Sequence, residues 1–499
     1  MVSQLDNIEE MTDFLRAIAH PKRIQILALL TKQSLDFAEL KLQTNLKKTG
    51  LSNNLTILIE VKLIERFERG TYRITQDGQD LLDAMNGFYA KAKIREIHQR
   101  NKMLKYYSEG WSRRTTETEN VLKGISNLVW GKSGEATYIA SLNLVMQYLA
   151  KQDSEIQGNF RSSLERRSYE NLMAMSGAAF RLNVRQPQWC PSSPDMYPRL
   201  HAVEHLGYQL TPLLIDLNDE RLKYEMFELI KQEIEEDRPV IAIDLVKGPD
   251  WGIITGYRGD KLVCRTYWDQ TSDYSIAEKF PWVMHSIKKV GAIQDRKEAI
   301  KKALRFAYDH FYVEKLPLEN PDDYYSNGLA AYDTWIKDLR DEDKISSLKK
   351  LNLVTNNPNE YFMKLAKSKQ ENNIPDEELV FENYWHINTW YYNSLADARR
   401  CATNFLQRIA KKDFEGKEKE IIQKTAEIFN EITEFLEKNW IYFPFIFHVN
   451  IKEGKMLLPG IGLIKGTTWT KEMRQDGAEV LEKAKEKEIM AYELIETIL

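Results

Sequence analysis

The spacing of apolar residues in the first ninety positions constrains this chain more than any other feature, because it switches from a helical to a strand period within a short span. Met11, Phe14, Leu15, Ile18, Ile24, Leu27 and Leu30 recur at helical spacing, and Pro21 punctuates them. This predicts two helices, with Pro21 in the first turn of the second, where its missing N–H has no intrahelical partner to lose. Asp36 is placed to cap a third helix running to about Thr44. A polar turn over 45–50 leads to a fourth helix from about Leu51 to Val61. The period falls to two in the segments 64–68 and 71–75, and Arg69-Gly70 between them signals a β-hairpin. A closing helix begins near Asp77 and merges into KAKIREIHQRNKMLKYYSEGWSRR at 91–114. That segment carries 8 basic residues against 2 acidic ones, a net of +6, whereas residues 1–90 balance 11 Lys/Arg against 12 Asp/Glu. A basic segment beside such a unit suits phosphates; a solvated helix face joining domains is the alternative.

The last three of these helices, the hairpin and the closing helix make a winged helix-turn-helix. On the fourth helix Leu55, Leu58 and Ile59 form the stripe to be buried, which leaves Lys47, Lys48, Thr49, Ser52, Asn53 and Thr56 facing outward. Amide and hydroxyl side chains can read base edges in the major groove, and lysine can reach phosphate or guanine. Arg66, Arg69, Tyr72 and Arg73 on the hairpin are placed for backbone or minor-groove contacts. HPKRIQILALL at 20–30, followed by LSNNLTILIEVKLIERFERGTYRIT at 51–75, resembles the ArsR-type transcriptional regulators, except that Lys62 stands where these usually carry Gly. The resemblance covers residues 1–90 and implies a homodimer on double-stranded DNA. The segment 91–122 is then a basic helical linker or dimerisation element. A winged helix used only for protein contacts is the competing reading.

Beyond residue 120 the pattern changes. GEATYIASLNLVMQYLA at 134–150 opens an amphipathic helix, and a second spans about 164–176. A Pro/Ser-rich loop at 186–198 contains Trp189 and Cys190. A helix at 198–206, a strand at 208–215, a helix at 219–236, a strand from Pro239 to Leu245 and a strand pair in 251–269 follow, an α+β order. GEATYIASL, MSGAAFRL at 175–182, CPSSP at 190–194, DRPVIAIDL at 237–245 and DWGIITGY at 250–257 resemble the papain-like fold of the C39 cysteine peptidases. They resemble more closely the acyltransferase-like family related to butirosin biosynthesis protein H, whose helical region is matched by GLAAYDTWIKDL at 328–339 and SLADARRCATNFLQRIA at 394–410. The expected architecture is therefore α+β and multidomain: a winged helix over 1–90, the linker 91–122, a papain-like core over 123–295 and a mainly helical region over 296–499.

In such enzymes a cysteine opens the first core helix, whose N-terminus lowers the thiol pKa, and a strand histidine takes its proton. Here the nucleophile position falls on Ala136 or Thr137 and the histidine position on Asp250. The resemblance thus implies a pseudoenzyme whose cleft senses a small-molecule effector. Glu135, Thr137, Tyr138, Arg181, Trp189, Cys190, Asp250, Trp251 and Tyr257 are its candidate ligand-binding residues. For each aromatic, core packing competes. The rival function is an acyltransferase or cysteine-peptidase-like enzyme with a winged-helix docking domain, using Cys190 or Thr137.

Other signals compete less well. His201, Glu204 and His205 form the His-x-x-Glu-His pattern of some zinc proteases, but no third ligand can be placed. FENYWHINTWYY at 381–392 surrounds His386 with aromatics, as either a cavity wall or core. IYFPFIF at 441–447 reads as a buried strand, and 411–438 and 471–499 as amphipathic helices. Three cysteines, Cys190, Cys264 and Cys401, make neither a disulfide framework nor a zinc knuckle, which suggests a reducing compartment. The acidic start lacks the pattern of a signal peptide, and no apolar run reaches the roughly 18 residues of a membrane span. A cytoplasmic protein with no membrane association, metal or cofactor is expected.

Overall fold

A computed structural model describes residues 18, 20–31, 33–67, 70–82, 85, 118–129, 132–161, 165–186, 201–246, 250–269, 271–313, 315–317, 324–343, 376–443, 450–452, 455–457 and 469–499. The chain is mixed helix and antiparallel sheet, divided into two compact units, Met1–Glu96 and Ile97–Leu499. The helix expected over 8–20 lies outside the described residues apart from Ile18 and His20, as do Arg69, Trp189, Cys190 and linker residues 91–117.

In the first unit, α1 (Pro21–Leu30) starts on Pro21, and the His20 imidazole Nδ1 accepts the Lys22 N–H at 3.2 Å. Helix α2 (Phe37–Thr44) opens with a reciprocal cap: Asp36 accepts the Glu39 N–H at 2.8 Å, and Glu39 accepts the Asp36 N–H at 2.7 Å. Asn45 takes a left-handed φ of 52°, which turns the chain so sharply that α3 (Lys48–Glu60) begins three residues before the expected Leu51. Its stripe Leu51, Leu55 and Leu58 is buried against Ile26, Leu27, Leu30 and Leu40. Lys62, at φ 59°, redirects the chain into the hairpin of β1 (Ile64–Phe67) and β2 (Thr71–Ile74), registered Ile64↔Ile74 to Phe67↔Thr71. Leu35 exchanges two backbone hydrogen bonds with Tyr72, at 2.8 and 3.0 Å, and so adds an antiparallel bridge on the other edge of β2.

The second unit is built on a seven-stranded antiparallel sheet. Its strands are β3 (Glu119–Val121), β5 (Tyr208–Leu214), β6 (Val240–Ile243), β7 (Trp251–Arg258), β8 (Lys261–Arg265), β9 (Ser275–Ile276) and β10 (Val283–Lys289), in the order β5-β10-β6-β7-β8-β9, with β3 beside β7. The end of the expected linker therefore belongs to the sheet. Gly256 allows it: a Cβ there would lie 2.3 Å from the Asn120 carbonyl. Helix α4 (Thr137–Leu149) packs on β6 and β7 and against α5 (Glu165–Met175), and α6 (Glu220–Glu235) packs on β3, β6 and β7. A bulge between Ile254 and Gly256 resets the alternation of β7. Trp251 consequently meets Tyr138 of α4 with ring centroids 4.8 Å apart, whereas Tyr257 meets Phe227 of α6 at 6.5 Å.

The remaining elements are β4 (Asn183–Gln186), which pairs with β12 (Tyr324–Asn327) and through it with β11 (Lys315–Pro317), and the hairpin β13 (Asn450–Lys452) and β14 (Lys455–Leu457). Helices α7 (Arg296–Phe311), α8 (Gly328–Arg340), α9 (Asp376–Lys412), α10 (Gly416–Lys438) and α11 (Lys471–Glu496) complete the unit. One continuous hydrophobic core runs from Leu122 to Ile498, so it does not break at 295/296, where a domain boundary was expected. The Arg399–Glu488 ion pair fastens α9 to α11, and the Arg399 guanidinium also donates to the carbonyls of Ala179 and Arg181, each at 3.1 Å. Two other expectations change. His201–Leu206 is a 3₁₀ helix, not an α-helix. IYFPFIF does not begin as a strand: Trp440–Tyr442 is a 3₁₀ turn with Ile441 exposed and Phe443 buried, and 444–447 lie outside the described residues.

Candidate functional site

Two places carry the residues singled out by the sequence, one in each unit. In the first, burying the Leu51–Leu55–Leu58 stripe leaves Lys47, Lys48, Thr49, Ser52, Asn53 and Thr56 exposed along the first nine residues of α3 and the residue before it. Lys22 Nζ donates to the last carbonyl of α2, on Thr44, at 2.8 Å and thereby ties α1 to the turn that launches α3. In the hairpin, Arg66 and Arg73 are exposed and Tyr72 is not: at 6% exposure it belongs to the core. Pairing explains this, since Tyr72 shares a hairpin face with buried Ile64 and Arg73 lies on the opposite one. Tyr72 therefore supports the hairpin from beneath, and the Arg66 guanidinium sits 5.9 Å from its ring centroid.

The second place is the N-terminus of α4. Ala136 is its N-cap and provides no side-chain cap, so the helix borrows partners from elsewhere. The Tyr169 hydroxyl from α5 accepts the Ala136 N–H at 3.1 Å and donates to Asp397 of α9 at 2.8 Å. The other Asp397 oxygen accepts from Arg166, and the Glu135 N–H donates to Asp397 at 3.3 Å. Gly134, at φ 117°, permits the contact, because a Cβ there would lie 2.2 Å from the Tyr169 ring. Its carbonyl accepts the Tyr267 hydroxyl at 2.9 Å. Across from these groups the Trp251 N–H donates to Thr137 Oγ1 at 3.3 Å, which places Asp250, one residue earlier, beside the helix start. Trp268 Nε1 donates to Asp250 at 3.1 Å.

This environment is acidic. Burial, and then the Asp397 carboxylate, push the Glu135 carboxyl up to about 7. Burial pushes Asp250 up to about 6 against the lowering effect of the Trp268 hydrogen bond. Glu135, Ala136, Thr137, Asp250 and Trp268 are partly buried, while Tyr169, Tyr267 and Asp397 are buried beneath them. Among the described residues no thiol stands at the helix start, and burial pushes the thiols of both Cys264 and Cys401 upward, away from thiolate chemistry.

No family model, curated protein or solved structure matches the chain.

The helix start gathers Glu135, Thr137 and Asp250 of the expected ligand-binding residues. Tyr138 and Trp251 lie just inside it, where the Tyr138 hydroxyl and His285 Nδ1 are 2.6 Å apart in the core. Tyr257 lies at the far end of β7 with α6, and buried Arg181 belongs with His310 and Arg399. Sequence reasoning missed Arg166, Tyr169, Tyr267 and Asp397. Asp397 lies within SLADARRCATNFLQRIA, but its partners are more than 200 residues away and no local signal joins them. In the His-x-x-Glu-His segment, the 3₁₀ geometry stacks His201 on Glu204, Nδ1 to Oε1 at 2.7 Å, and turns His205 a third of a turn away. Among the described residues no three metal-binding side chains converge, and no helix is long and apolar enough to cross a membrane.

Proposed function

We propose that the chain is a DNA-binding transcriptional regulator, working as a homodimer, whose second unit senses a small-molecule effector with a papain-like scaffold that has lost its nucleophile. The observation that carries the reading is the polarity of α3: three leucines sealed on one side, and six lysine, hydroxyl and amide side chains displayed on the other beside an arginine-bearing hairpin. A helix so presented fits the major groove, with a winged hairpin over the backbone. In a homodimer two such helices reach half-sites about one turn of DNA apart, about 34 Å. The second half of the reading rests on the start of α4, where Ala136 and Thr137 stand at the expected nucleophile position among carboxyls of raised pKa. An effector bound there acts only through different affinity for two states of the regulator, which sets how far it shifts DNA binding.

The test is fluorescence-anisotropy binding of the full chain to promoter DNA from its own gene neighbourhood. Replacing Ser52 and Asn53 by alanine removes two base-reading side chains at about 1–3 kcal/mol each. The expected loss is at least tenfold for promoter DNA, with little change for unrelated duplex. Equal affinity of parent and variant for the promoter would remove the assignment.

A further inference from the structure

The hairpin register sets Glu65 directly opposite Arg73, on the same face as Phe67. The Glu65 carboxylate accepts from Arg73 Nε, and the Arg73 guanidinium lies over the Phe67 ring, 4.2 Å from its centroid. Arg73 is therefore held along the hairpin by a directly opposed carboxylate and a diagonal ring, two cross-strand neighbours that act together. Both side chains of the ion pair are 46% exposed, so the hold is weak enough to be exchanged for a phosphate. The exchange has a second effect, because a freed Glu65 carboxylate faces the same anion that Arg73 approaches. The first ninety positions carry 11 basic residues against 12 acidic ones, so this unit has no excess positive charge to make up for a masked arginine.

From this register we propose that Glu65 is an electrostatic mask on the hairpin. It neutralises Arg73 away from DNA and releases it only where a phosphate is correctly placed, so that non-specific binding stays weak. The inference rests on the DNA-binding reading and adds its regulation. Arg73 then makes a phosphate contact on the bound duplex, and Glu65 lowers affinity without touching a base.

The experiment uses the full chain and a mixed-sequence duplex of about 30 base pairs at about 50 to 200 mM salt, since phosphate contacts are independent of sequence. Glu65→Gln is expected to tighten binding about two- to fivefold and to steepen the dependence of log affinity on log salt by about one. Arg73→Ala is expected to weaken binding, and the Glu65→Gln gain is expected to vanish when both changes are combined. Thermal melts of each variant separate unfolding from a change in contact. If the gain persists in the double variant, Glu65 repels DNA without masking Arg73, and the proposal is overturned. A Glu65→Gln protein that binds like the parent overturns it too, with the DNA reading intact. If parent and Arg73→Ala proteins both fail to bind any duplex, promoter DNA included, the DNA reading falls and the mask falls with it.

Discussion

Replacing Arg399 by methionine isolates one of the strongest internal constraints in the second unit. Arg399 and Glu488 are both fully buried. The guanidinium donates to both carboxylate oxygens, one of them at 2.9 Å, and to the carbonyls of Ala179 and Arg181, while Tyr332 donates to Glu488 at 2.6 Å. Methionine fills similar space but removes the charge and leaves two carbonyls without this donor. Glu488 would keep Tyr332 but lose its counter-ion. Breaking a buried pair in this way costs about 3–5 kcal/mol, because the remaining charge is stranded away from water. Replacing both residues, Arg399→Met with Glu488→Leu, removes the stranded charge and should recover most of that loss. Urea titration followed by circular dichroism reads the result as a fall in midpoint at unchanged slope. The expected double-mutant coupling is about 2 kcal/mol or more, within the range seen for residues in one network. A single variant within about 1 kcal/mol of the parent, or a double variant no better than the sum of the singles, would refute the reasoning that this pair locks α9 to α11.

Two further outcomes follow from particular groups. The Glu135 carboxyl is pushed up to about 7, mainly by burial, against an ordinary value of 4.5, so the folded chain holds this proton to a higher pH than the unfolded chain. Its contribution to stability therefore falls as pH rises through that window and is lowest above 7. Glu135→Gln should make the protein more resistant to urea than the parent at pH 8 and give no such advantage at pH 5; parallel behaviour at both would contradict the assignment. Lys62 sits at φ 59° with its side chain exposed. Lys62→Gly relieves about 1–2 kcal/mol of backbone cost against about 0.5–1 kcal/mol of added chain entropy, a net gain of about 0.5–1 kcal/mol. Slower hydrogen exchange at the Leu63 amide, which donates to Leu58, is the expected readout, and faster exchange would count against it.

The first unit was legible because each of its boundaries has a local cause. Pro21 opens α1, Asp36 and Glu39 cap α2, and the leucine spacing of α3 decides which side is dry. Lys62, which departs from the usual glycine, sits at φ 59° in the turn before the hairpin, a conformation the residue type itself does not announce. Tyr72 was misplaced because its type was weighed ahead of its parity: counting alternate positions from Ile64 through the register puts it inside. The second unit was legible in element order and much less so in space. Its bulge in β7 is invisible in the sequence, yet it decides that Trp251 and Tyr257 serve different helices. The His201 segment failed for a related reason, since a six-residue stretch does not reveal whether it will close as an α or a 3₁₀ turn.

The start of α4 shows how residues distant in sequence set the electrostatics of a helix terminus. A helix N-terminus lowers the pKa of a thiol when its free N–H groups and a nearby cation face the sulfur. Here the Ala136 N–H is spent on Tyr169 and the Glu135 N–H on Asp397, and Arg166 is bound to that same carboxylate. The Glu135 N–H and Arg166 already serve one anion, delivered by α9 from more than 200 residues along the chain. Glu135 and Asp250 add carboxyls whose raised pKa values record how little room remains for another negative charge. Such a site favours neutral or cationic groups over a further anion. Five residues, Glu135, Arg166, Tyr169, Asp250 and Asp397, therefore set the electrostatics of this helix start together. The helical region after residue 296 supplies the decisive member of that set, and its packing into the same core as α4 is what brings Asp397 to the helix start.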